Sequence, residues 1–424
     1  MEIKEIKNDL LGERYYKIDH TSGLKIYVFP KENYSSTYAV FGTRYGSIDT
    51  AFRKSSEEDY TEVPEGIAHF LEHKLFESEE LDAFERFAKT GASANAYTSF
   101  DKTCYLFSCS GNFNQNLEIL LDFVRHPYFT QKTVEKEQGI IGQEIRMYRD
   151  VPDWRVLFNL LCAMYKNHPV RIDIAGTEAS IAEISADLLY KCYDDFYNLG
   201  NMALAIAGNV NVEEVIEIAD RLLTEDEPFS VDRKVFEEEK EVVTDYVEEK
   251  LSVASPIFSL GFKEMLSNPE RTLKEELLGN IILEAIAGNT SDLYSELIDA
   301  ELINPTFSTE YFTGFGYSSM IFSGESRDPK KTCEIIKEKI RCFKETGIGS
   351  EDFERARKKL YGREIMSYND VDELANNLIA ADFMNEGLFD EFETLKILTC
   401  DEANEFLKEI LDERYSSLSV ILPA

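Results

Sequence analysis

Residues 23–30 (GLKIYVFP) and 36–47 (STYAVFGTRYGS) place β-branched and aromatic residues at alternating positions, which predicts two strands. Over 65–77 the apolar residues Ile67, Phe70, Leu71 and Leu75 recur every three or four positions behind Pro64. That spacing predicts a helix with proline just ahead of its first turn. A second helix is expected at 80–90, followed by two alternating segments, 92–100 and 103–110, joined by Asp101 and Lys102. Helices are predicted at 114–125 and 131–149, the latter stopping at Val151-Pro152 because the residue before a proline is pushed out of the α region. A helix at 181–197, a buried strand at 202–210 and a helix at 212–223 complete the first half.

Residues 224–250 are dense in acidic side chains and lack apolar periodicity, the pattern of a linker or a solvated crossover. Beyond them the order of elements recurs. A strand (252–263) leads to a helix (270–287), two alternating segments (304–312 and 317–324), helices at 329–345 and 350–368, and a closing strand at 417–423. The repeat lies in element order, not in residue identity. The expected fold class is therefore α+β in two half-domains, residues 1–225 and 251–424, separated by an acidic linker at 226–250.

The 424 residues include 80 acidic and 45 basic side chains, a formal net charge of -35. Such an excess repels phosphate backbones and anionic lipid, so nucleic acid and membrane surfaces are not expected partners. No apolar run reaches the 18 or more residues needed to span a bilayer, and the first residues are charged where a signal peptide would be apolar. A soluble, cytoplasmic protein is expected. Seven scattered cysteines without a CxxC pair read as reduced, mostly buried thiols rather than a disulfide framework or a cysteine-ligated zinc knuckle.

Two of the five histidines, His69 and His73, stand four apart with Glu72 between them. On a helix, positions i and i+4 share a face, so both imidazoles can reach one metal ion while Glu72 projects beside them. Zinc suits two neutral imidazoles and a carboxylate, with a fourth position left for water. A carboxylate that is not a ligand can then accept the water's proton, the role that fits Glu72. Glu137 and Glu144, seven apart on the predicted 131–149 helix, face the same way. Either could be the third protein ligand, and the other would accept a hydrogen bond from a ligand histidine. His20, His126 and His168 are read as structural.

His69-Phe70-Leu71-Glu72-His73 with Glu137-x6-Glu144 resembles the inverted zinc motif of the M16 peptidases, the pitrilysin, insulinase and mitochondrial-processing-peptidase group. Gly91-x3-Asn95-Ala96-Tyr97-Thr98, His168-Pro169, Gly176-Thr177 and Gly208-Asn209 are similar to later landmarks of that family. The resemblance implies a fold of two homologous halves, each a mostly antiparallel sheet packed against helices, with one Zn2+ per chain held by the first. It assigns Glu144 as the ligand, Glu137 as its outer neighbour, and Ala94, Asn95, Ala96 and Tyr97 as an edge strand that pairs with extended substrate. The implied activity is zinc-dependent endopeptidase action on peptides or unfolded segments in an enclosed chamber.

One departure bears on partners. The family's second half carries an Arg and a Tyr that hold substrate over the opposing zinc, whereas this chain has Ile298 at the Arg position and Pro305 near that of the Tyr. The resemblance therefore implies a heterodimer with a homologous subunit that lacks HxxEH, a homodimer being the other option. The alternative reading is a non-catalytic assembly subunit, against which the intact His69, Glu72, His73 and Glu144 argue.

Overall fold

The computed structural model describes residues 1–79, 81–226 and 229–424. Its strands in chain order are β1 (Glu2–Asn8), β2 (Glu13–Asp19), β3 (Lys25–Pro30), β4 (Thr37–Thr43), β5 (Ala51–Lys54), β6 (Thr61–Glu62), β7 (Ser93–Thr98) and β8 (Thr103–Cys109). Then come β9 (Met202–Gly208), β10 (Val231–Arg233), β11 (Tyr246–Leu251), β12 (Ile257–Lys263), β13 (Ser308–Gly314), β14 (Tyr317–Glu325) and β15 (Ser416–Pro423). They form a seven-stranded sheet ordered β1-β2-β3-β9-β4-β8-β7, a five-stranded sheet ordered β11-β15-β12-β14-β13, and a small sheet β10-β5-β6.

The repeat in element order is a repeat in topology. Within the large sheet β3 runs parallel to β9, and the pairs β9–β4, β4–β8 and β8–β7 are antiparallel. The second sheet reproduces this strand for strand, with β11 parallel to β15 and the pairs β15–β12, β12–β14 and β14–β13 antiparallel. The architecture is thus α+β with two mostly antiparallel sheets, each packed against helices. β1 and β2, which the sequence pattern does not announce, extend only the first sheet.

The chain divides into two compact units, each drawing on both halves of the sequence. The first comprises 1–143, 174–234 and 365–390, and the second 144–173, 235–364 and 391–424. In the first, the helix Val371–Phe383 lies on β4 and β9. It meets Ala203, Ala205 and Ala207 through Leu374, Ala375, Leu378 and Ile379 in one core cluster. Gly42, paired with Ala203, sits so close that an added Cβ would come 3.1 Å from the Ile379 side chain. In the second unit the helix Pro152–Met164 lies on β12 and β15. There a Cβ on Gly261, paired with Ser417, would fall 2.5 Å from Met164 Sδ, so that the methionine side chain would have to shift. Each sheet thus carries a small-residue stripe that lets a helix approach closely, and that helix comes from the other half of the chain.

Several expectations need revision. Pro152 does mark the end of the preceding helix, which stops at Tyr148, but it also stands in the first turn of the helix Pro152–Met164. A proline lacking its N–H costs nothing there. The predicted 181–197 helix is two pieces, Glu178–Ile181 and Ala186–Phe196, the second capped by Ser185. The acidic stretch 224–250 holds β10 and β11, and although none of its described residues is buried, it is fastened at particular side chains. In the second unit, Lys263 is fully buried and donates to Glu238, Glu239 O and Met164 O at 2.9, 2.6 and 2.9 Å. Glu238 also accepts the backbone N–H groups of Lys166, Asn167 and His168. The cysteines are free, with four buried and Cys162 and Cys342 exposed. No described helix is long and apolar enough to cross a membrane.

His168 closes this fastening. It is 2% exposed, its Nε2–H donates to Phe315 O at 3.0 Å, and its Nδ1 accepts from Val170 N. Burial pushes the imidazole down to about 4 from its usual 6.5. A depressed histidine contributes stability in full above pH 6.5 and loses it as the pH falls towards 4, because the unfolded chain binds the proton first. Thermal unfolding at about pH 7.5 and about pH 5 is therefore expected to show a drop in wild type that is smaller in His168→Gln. Equal drops in the two proteins would exclude His168 as the source.

Candidate functional site

The site begins with a short helix, Ile67–Leu75, whose apolar positions Ile67, Ala68, Phe70, Leu71 and Leu75 are all buried. Its start is set by two glycines on facing segments. Gly66 (φ +85°) and Gly176 (φ +74°) both adopt the left-handed region, where L side chains are strained. A Cβ on Gly66 would fall 2.3 Å from Ala175 O, and one on Gly176 2.5 Å from Glu65 O. Ser180, which closes a capping box with Thr177, donates from Oγ to Glu65 O at 2.9 Å. The Gly176-Thr177 pair noted in the sequence therefore anchors the segment that leads into the histidine helix.

His69 and His73 stand one turn apart with ring centroids 4.5 Å from each other. Burial, with a smaller contribution from His73, pushes His69 down to about 3, so its imidazole is neutral and able to donate a lone pair. The other side of the site is the helix Gln131–Tyr148. One ligand-type atom each from His69, His73 and Glu144 lies within 4.8 Å of the others. Two turns earlier on the same helix, Glu137 is buried and its Oε1 lies 3.0 Å from His73 Nδ1. With Nδ1–H donating to that carboxylate, the ring's lone pair lies on Nε2. The donor set of two imidazoles and one carboxylate fits zinc. Helix spacing left the two glutamates open and the resemblance chose Glu144 as ligand; the structure gathers Glu144 with both histidines and sets Glu137 behind one of them.

Glu72 is 8% exposed and accepts a hydrogen bond from Thr98 Oγ1 at 2.8 Å. Thr98 ends β7, the last strand of its sheet, which among the described residues pairs only with β8. Alternation puts Ala94, Ala96 and Thr98 on one face and Asn95 and Tyr97 on the other. The Tyr97 hydroxyl accordingly reaches the opposite layer, bonding Asn376 Oδ1 at 2.9 Å. Thr98 stood in the sequence only as the end of the edge-strand motif, and its bond to Glu72 is the contact that sequence reasoning missed. Its signal was the strand parity that sets it apart from Tyr97.

The remaining histidines sit elsewhere. His20 is buried between Ser22 and Asp220, and His126 is an exposed residue at the end of the helix Phe113–Arg125. In the second sheet, Thr313 near the end of β13 bonds Glu276 Oε1 at 2.8 Å, as Thr98 bonds Glu72. The positions three before and one after Glu276 are Leu273 and Leu277, so this second arrangement lacks the histidine pair. Ile298, on the helix Asp292–Asp299, is packed against the second core.

The model of the insulinase family (peptidase family M16) matches residues 56–178, and that of the M16 inactive domain matches 183–360. The chain is 42% identical to the Bacillus subtilis protein named zinc protease YmfH over 428 residues, covering 99% of both chains. The crystal structure of an M16-like peptidase from Alicyclobacillus acidocaldarius superposes with a TM-score of 0.92 at 35% identity, over 100% of this chain and 99% of that one. A protein of Arabidopsis thaliana named as a mitochondrial-processing peptidase β subunit is 29% identical over 182 residues, 42% of this chain and 33% of its own length. With matches of this extent in both halves, the chain belongs to the M16 (insulinase) family of peptidases.

Proposed function

We propose that the protein is a zinc-dependent endopeptidase in which His69, His73 and Glu144 hold one metal ion and Glu72 is the general base. What carries this reading is the meeting of three ligand atoms within 4.8 Å with a buried carboxylate one residue before His73, held by Thr98. When bound, zinc supplies Lewis-acid polarisation of the scissile carbonyl and a lowered pKa for a coordinated water. Glu72 would take the proton of the attacking water at the carboxylate oxygen not bonded to Thr98 and return it to the leaving amine. Ala94, Asn95, Ala96 and Tyr97 offer the main chain of an edge strand, to which an extended peptide can add as a further strand. Such a strand would run up to Thr98 and so to the base. Enclosure in a chamber would restrict substrates to peptides and unfolded segments.

Metal analysis of purified variants tests the assignment. His73→Ala and Glu144→Gln are expected to lose zinc, while Glu72→Gln keeps it and loses turnover. Zinc loss in Glu72→Gln, or full occupancy in His73→Ala, rejects these roles. For the outer residue, Glu137→Gln is expected to weaken zinc binding or activity by roughly 10–100-fold while the fold is kept. Titration of zinc into apo Glu137→Gln and apo Glu144→Gln reads the two roles directly, and the larger loss should fall on Glu144.

Partnership is the second part of the proposal. Ile298 can neither hydrogen-bond a substrate nor offset charge on a developing oxyanion, as an arginine would. We infer that a homologous subunit without HxxEH supplies the substrate-holding groups. The chain alone is then expected to cleave an extended peptide slowly, with turnover rising when that subunit is added. Fast turnover by the purified chain, unchanged by any partner, overturns this.

A further inference from the structure

We propose that Arg233, on the short strand β10, is a positioning residue that sets the turn end of β7, and with it Thr98, against the base Glu72. The inference rests on the reading of Glu72 as the general base. It concerns a residue in a stretch whose composition reads as linker.

β10 pairs with β5 in the order Val231↔Lys54, Asp232↔Arg53 and Arg233↔Phe52, which brings Arg233 beside the turn that follows β4. Its Nε lies 3.0 Å from Asp49 Oδ1, and its Nη2 donates to Arg44 O at 2.7 Å and to Asp101 O at 3.4 Å. Asp49 is itself buried, and its second oxygen accepts Gly46 N at 2.8 Å. One guanidinium therefore joins β10 to both the 44–49 turn and the turn between β7 and β8.

Those two turns are also in backbone contact. Ser47 N donates to Ser99 O at 3.0 Å and Ile48 N to Phe100 O at 3.1 Å. Gly46 has no room for a Cβ, which would fall 2.3 Å from Phe100 O. Thr103, the first residue of β8, donates to Tyr45 O at 2.8 Å. The residue next to Ser99 is Thr98, which holds Glu72. A planar guanidinium with several donors in fixed directions can satisfy one carboxylate and two carbonyls together, whereas an ammonium acts as a point charge. Because Arg233 acts at the turn end of β7 and not along Ala94–Ala96, its loss should disturb alignment at the base more than capture of the peptide main chain.

The test compares Arg233→Lys and the double variant Arg233→Met/Asp49→Asn with wild type, using the full chain. The double variant removes both charges, so no carboxylate is left buried without its partner. Its melting temperature is expected to stay near wild type, with zinc content unchanged. Amide exchange over 98–103 should quicken by about tenfold or more. Turnover of an extended fluorogenic peptide should lose about tenfold in kcat with KM within about threefold, since small misplacements of a reacting group are costly. Arg233→Lys keeps the charge opposite Asp49 and should share the kcat loss. Wild-type exchange and kcat in the double variant would mean that Arg233 only neutralises Asp49, and the proposal fails. The exchange measurement stands without turnover, so it separates this failure from that of the base assignment, which would show as full activity in Glu72→Gln.

Discussion

Close approach of a helix to a sheet is the constraint on which this structure rests. In each unit the central strand pair carries residues too small to hold a helix away: Gly42 beside Ala203 in the first, Gly261 beside Ser417 in the second. Both helices that use this space are distant in sequence from the strands they cover. An added methyl group at either glycine would press on side chains of the covering helix and force them to shift. Because Val371–Phe383 belongs with the first sheet and Pro152–Met164 with the second, neither unit can complete its core from one contiguous stretch of chain.

The same economy of space governs the site. Gly66 and Gly176 let two backbone segments meet where a side chain on either would strike a carbonyl, and the histidine helix begins from that contact. From there, hydrogen bonds orient polar groups that are otherwise expensive to bury. Glu137 faces His73, and Thr98 faces Glu72. The second sheet keeps the analogous Thr313–Glu276 bond but has leucines where the histidines would stand. The shared topology therefore preserves a threonine–glutamate contact between edge strand and helix, and the metal-type donors distinguish one copy from the other.

Much of this was legible in the chain itself. The periodicity of 65–77, 92–110, 202–210 and their counterparts after residue 250 located the strands and helices of the repeat, because period-2 and period-3.6 patterns are local properties of a half-buried strand or helix. HxxEH on a helix brought His69, Glu72 and His73 to one side by geometry alone, and the i, i+7 spacing of Glu137 and Glu144 set them on a common face. Sequence by itself thus determined the class of the fold, its duplicated order of elements and the candidate donor set.

Only the tertiary structure decided the rest. The resemblance had chosen Glu144, but spacing alone could not say which glutamate meets both histidines, because positions seven apart face the same way and only tertiary packing brings one of them to the pair. The acidic stretch 224–250 read as solvated because its carboxylates outnumber its apolar residues. Yet the partners that fasten its surroundings, Asp49 for Arg233 and Lys263 for Glu238, lie far from it or in another element. The borrowed helices were equally invisible, since Ala203, Ala205 and Ala207 announce a buried strand but not which helix covers it. Long-range pairing of small surfaces and single charges leaves no periodic trace in a sequence, and those pairings place Glu72, the edge strand and the metal-type ligands together.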